Sequence, residues 1–77
     1  MEILSALQAI AKAIEKAFPL AKCRCHAMEN QIFLTHPIKA PDGVHILLPY
    51  YQALIRKGKF TETETAAIID DLRKMGY

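Results

Sequence analysis

Glycine is scarce in this chain, with three residues in 77. Gly43, Gly58 and Gly76 are scattered, so no glycine-rich phosphate loop can be assembled from them. Serine is scarcer still. Ser5 stands alone, with no histidine near it and no Gly-X-Ser-X-Gly elbow around it, which excludes the common serine-hydrolase arrangement. Two cysteines are too few for a disulfide framework. An excess of one charge is also missing: ten basic and eight acidic residues leave a net charge of +2, far below that of a protein that coats DNA. No apolar run approaches the roughly 18 residues of a membrane span, and no signal-peptide pattern precedes the first helical repeat. Together these absences predict a cytoplasmic protein with reduced thiols and no membrane partner.

What is present is apolar. Hydrophobic residues make up 52% of the chain, which predicts one ordered domain over residues 1–77. At this length a single core is marginal. A second copy is one way of covering the last apolar face, so a homodimer is among the expected states.

Residues 2–18 show a 3.6-residue period. Ile3, Leu4, Ala6, Leu7, Ile10, Ala11, Ala13, Ile14, Ala17 and Phe18 share one half of the wheel, and Pro19 stops the helix. The period then changes to two. Ala21, Cys23, Cys25 and Ala27 alternate with Lys22, Arg24, His26 and Met28, and the alternation resumes as Ile32, Leu34 and His36. A two-residue turn at Glu29-Asn30 would pair Cys25 with Leu34 and Cys23 with His36. Ala-Pro-Asp-Gly at 40–43 reads as a turn. Residues 44–48 read as a third strand or the start of a helix, and the strand is favoured because Pro49 suits a helix first turn. Residues 49–58 then form a short helix with Tyr50, Tyr51, Leu54 and Ile55 inward. TETE at 61–64 is a capping box for a last helix, 62–75, buried along Ile68, Ile69, Leu72 and Met75. The fold expected is α+β: an N-terminal amphipathic helix on a small antiparallel sheet, a β-hairpin with or without a third strand, then two C-terminal helices, in the order α-β-β-(β)-α-α.

Four chemistries compete for these residues. Catalysis finds no pair: Asp70 and Asp71 point about 100° apart on a helix, and Cys25 and His26 point to opposite faces of a strand. Zinc suits Cys23, Cys25, His36 and His45 in ligand type. Yet a flat Cys-X-Cys strand separates its sulfurs by about 6–7 Å, and Cys is also a small core residue. Nucleic acid finds a basic hairpin face, Lys22, Arg24, His26 and Phe33, but only one aromatic. A helix-turn-helix aligned on Gly58 fails, because Leu54 and Glu64 fall where a small and an apolar residue belong.

Binding to a protein remains, through Tyr50 and Tyr51 with the basic group Arg56, Lys57 and Lys59. The acidic face of the last helix opposes the basic hairpin in sign and would orient a charged partner. The expected function is that of a small non-enzymatic protein occupying a surface of another macromolecule, without a cofactor. Its size suits a regulator or inhibitor of the kind carried by phages and plasmids. The alternatives are an RNA or single-stranded DNA binder through the hairpin, and a small zinc-stabilised domain using Cys23, Cys25 and His36.

Overall fold

The computed structural model describes residues 2–77. The apolar half-wheel of the first segment forms α1, Ile3–Ala17, and buries Ala6, Leu7, Ile10, Ala11 and Ile14. Leu4 lies at the rim of that half-wheel and remains 43% exposed, outside the buried stripe. The chain then forms β1 (Lys22–His26), β2 (Gln31–His36) and β3 (Ala40–His45), followed by α2 (Pro49–Arg56) and α3 (Glu62–Lys74). The sheet is antiparallel in the order β1-β2-β3, so the architecture is α-β-β-β-α-α. Ile32 and Leu34 on β2 are fully enclosed under α1, in one cluster with Leu47, Ile55, Ile68 and Leu72 from the C-terminal half.

The hairpin register differs from the expected one by two residues. Cys23 pairs with Leu34 and Cys25 with Ile32. A shift of two preserves which side chains share a face, because the strand period is two. Its cause is the turn. Glu29 does not take positive φ. Instead Ala27–Glu29 form a single 3-10 turn, and Asn30 alone adopts the left-handed conformation at φ 48°. Ala27 therefore leaves the strand. Asn30 is buried, and its side-chain amide donates to the Gln52 carbonyl at 2.7 Å, which ties the hairpin to α2.

The second chain reversal is also displaced. It falls at 37–39, where the His36 Nδ1 accepts the amides of Ile38 and Lys39 at 3.2 and 3.1 Å. The 40–43 segment lies inside β3 instead. His36 pairs with Ala40 and Leu34 with Val44, so three residues of β3 oppose the single Thr35. Pro41, Asp42 and Gly43 bend the chain as expected of turn formers, but they do so as a bulge. Strand β3 ends at His45. Residues 46–48, expected to complete that strand, connect to α2 in extended form. The Ile46 amide donates to the Ile32 carbonyl at 3.1 Å, and the Gln31 side chain both accepts from and donates to the Leu47 backbone.

Both C-terminal helices end in the same way. Beyond α2, Gly58 and Lys59 donate to Ile55 and Leu54. Beyond α3, Gly76 and Tyr77 donate to Arg73 and Leu72. The Thr61 amide donates to the Glu64 carboxylate at 3.2 Å and the Glu64 amide donates back to the Thr61 side chain, completing the expected capping box. Two inward positions fail. Tyr50 is 63% exposed and Met75 is 61% exposed. Both are apolar residues at helix termini that overhang the core instead of entering it.

Candidate functional site

Three of the exposed large hydrophobic side chains meet at one place. Val44 comes from β3, Leu48 from the connection to α2, and Met75 from the end of α3. They line an apolar groove of about 280 Å³ with Ile46, Tyr51, Ile68, Leu72 and Tyr77, while His45 and Asp71 supply its polar edge. Gln31 positions the wall: its side-chain carbonyl accepts the Leu47 amide at 2.6 Å and its amide donates to the Leu47 carbonyl at 2.9 Å. Tyr51 carries Tyr50 along one edge, with ring centroids 5.3 Å apart in a T-shaped contact, and packs on Phe60 at 6.0 Å. Desolvation, and then the Asp71 carboxylate, push the Tyr51 phenol above its ordinary 10.0, so it stays a neutral hydrogen-bonding group at the groove.

Of the residues expected to bind a partner, Tyr51 lines this groove and Tyr50 flanks it. Arg56, Lys57 and Lys59 are exposed at and beyond the far end of α2 and do not line it. Most of the groove has no signature in the sequence. Its residues lie in the 44–48 run, which reads equally well as a plain strand, and in the last helix stripe.

The outer face of the sheet holds the hairpin candidates together. Lys22 and Arg24 are exposed on it, Phe33 is half-buried, and these residues with Cys23 and Thr35 outline a shallow cleft. His26 and His45 flank the Phe33 ring, at centroid distances of 6.2 and 5.2 Å, and touch each other edge-on at 5.8 Å. The sequence places Phe33 and His26 on this face; the β2–β3 register adds the His45 imidazole. Gly43 allows this arrangement. A Cβ there would clash with the edge of the Phe33 ring, 2.9 Å from Cε1 and nearer still to Cζ and Cε2.

The expected zinc set is not assembled. Cys23 faces Leu34 and not His36, and the His36 Nδ1 is already occupied by two backbone amides. Among the described residues, Cys23, Cys25 and His36 are not a group of converging ligand atoms. The Glu15 carboxylate accepts the Cys23 amide at 2.9 Å. Burial first, then Glu15 and Cys25, push the Cys23 thiol from 9.0 up to about 12. Burial and Glu15 raise Cys25 as well. At pH 8, Cys23 is expected to react with iodoacetamide about 30-fold more slowly than an unshifted thiol. Thiolate falls about a thousandfold, partly offset by the higher nucleophilicity of a more basic sulfur. Peptide mapping by mass spectrometry measures this, and a rate equal to that of the unfolded chain would refute it. The raised value also fixes a sign. The stabilisation from the protonated thiol is complete below pH 9.0 and is lost as pH rises toward about 12.

Compared with known proteins, the chain matches no family model, no curated protein and no solved structure. Among the described residues no helix is long and apolar enough to cross a membrane.

Proposed function

We propose that the chain is a small non-enzymatic binding protein that occupies a surface of another protein, and that the groove between the β3–α2 connection and α3 is its docking surface. The observation that carries this reading is the convergence of Val44, Leu48 and Met75, exposed apolar residues from three separate segments, around one concavity. Exposed apolar side chains scattered singly need no explanation, but a contiguous set beside a groove marks an interaction site. Asp71 on the rim selects a basic neighbour, whereas Asp70 points away and is paired with Lys74 at 3.1 Å. The occupant that fits is an amphipathic segment whose apolar side chains fill the groove and whose Lys or Arg residues face Asp71. A symmetric second copy fits less well, because a two-fold axis through the groove would set the two Asp71 carboxylates near each other.

A second reading rests on the sheet face. His26, Phe33 and His45 form a cluster of three rings beside Lys22 and Arg24, which suits stacking of single-stranded RNA or DNA bases.

One titration separates the two readings. Isotope-labelled protein is followed by NMR against an 18-residue helical peptide with leucine on one face and lysine on the other, and separately against a single-stranded oligonucleotide. The docking reading predicts amide shifts at Val44, Leu48, Ile68 and Met75 with the lysine peptide and none with a glutamate counterpart. Shifts confined to Arg24, Phe33 and Thr35 with the oligonucleotide, and a silent groove, would reject it for the second.

A further inference from the structure

We propose that His26, Glu29 and His45 form a binding site for a divalent transition-metal ion of the zinc class. One ligand atom from each residue lies within 4.8 Å of the other two. The residues come from three segments: His26 closes β1, Glu29 sits in the 3-10 turn, and His45 closes β3. No bend of the strands is needed, unlike the Cys-X-Cys arrangement, because the ligands reach one another across the sheet surface.

Two details define the donor atoms at this site. The His26 Nδ1 is 3.4 Å from the Glu29 Oε2. That is longer than a good hydrogen bond of about 2.7–3.2 Å. It matches the edge of a tetrahedron around zinc, about 3.3 Å for bonds of about 2.0–2.1 Å. The second detail is the other nitrogen. The His26 Nε2 is buried without a hydrogen-bond partner. Closed off from solvent, it leaves Nδ1 as the one nitrogen of that ring able to take a ligand. His45 is exposed at the end of β3, and its donor atom already lies within 4.8 Å of the other two.

Two imidazoles and one carboxylate are the donor set of borderline ions such as zinc, and too few oxygens for calcium or magnesium. Three protein ligands leave a fourth position open, for water or for a donor from a partner. A bound ion would cross-link the hairpin turn to the end of β3, beside the groove edge where His45 also lies.

Zinc titration of the whole chain tests the site, followed by thermal unfolding in a non-chelating buffer, with magnesium as control. At a hundredfold excess over the dissociation constant, zinc is expected to raise the melting temperature by about 10–20 °C, and magnesium is expected to leave it unchanged. His45→Ala removes an exposed ligand without touching the core and should weaken zinc binding at least tenfold; Glu29→Gln should weaken it as well. Cobalt bound to the wild type should lack the near-ultraviolet charge-transfer absorption that marks sulfur ligands. No zinc effect on the wild type overturns the site. So does a zinc effect undiminished in His45→Ala, or a sulfur signature lost in Cys23→Ser.

Discussion

Gly43→Ala is expected to lower the unfolding free energy by about 3 kcal/mol. Two terms add. Gly43 has φ +86°, where an L side chain is strained by about 1–2 kcal/mol. The new methyl also displaces the Phe33 ring that lies over the glycine, and forcing a packed ring aside costs about another 1–2 kcal/mol. The ring is flanked on its two sides by His26 and His45, so it can give way only outward, losing those contacts. Phe33→Ala in the same background should restore the second term and leave the first. Chemical denaturation of the two single variants and the double variant forms a double-mutant cycle. A coupling of about 1 kcal/mol or more is expected. Additive losses would mean that the ring does not rest on Gly43.

Leu34→Ala is expected to cost about 3–4 kcal/mol. Leu34 is fully buried at the centre of the middle strand, between Cys23 on β1 and Val44 on β3 and within the cluster that holds α1. A cavity there is walled by both neighbouring strands and a helix, so little collapse can fill it. A domain of this length has only about 4–12 kcal/mol in total, and the variant should be partly unfolded near 37 °C. Leu20→Ala is the control. Leu20 is 57% exposed, and its truncation should change the midpoint of a denaturant curve by less than about 0.5 kcal/mol. Equal losses at both positions would contradict the placement of the core.

The order of elements was legible because periodicity alone dictates it. The switch from a period of 3.6 before Pro19 to a period of two after it separates helix from sheet, and the Thr61–Glu64 pair marks the start of the last helix. The faces of the hairpin were legible for the same reason, and they survived a register error because that error was an even number of residues. The turns were not legible. Pro41, Asp42 and Gly43 have the composition of a reversal and serve as a bulge, since a ring on the neighbouring strand needs the space above Gly43. The reversal itself is organised by His36, whose imidazole accepts two amides, and nothing in its neighbours signals that role.

The candidate sites were less legible than the fold. Tyr51 and the pairing of basic residues with Phe33 could be read from spacing. The groove could not, because Val44, Leu48, Met75 and Asp71 are far apart in sequence and look like core or solvated positions one at a time. His26 and His45 likewise become neighbours only through the two strand registers.

The docking surface is tested most directly by charge reversal at its rim. The affinity of the lysine-faced amphipathic peptide would be measured for the wild type, for Asp71→Lys and for Arg24→Glu, at low and at moderate salt. Asp71 lines the groove and Arg24 lies on the sheet's outer face. The account predicts that Asp71→Lys weakens binding at least tenfold at low salt and that Arg24→Glu changes it by less than about twofold. Binding that is indifferent to Asp71, or that responds only to Arg24, would contradict it.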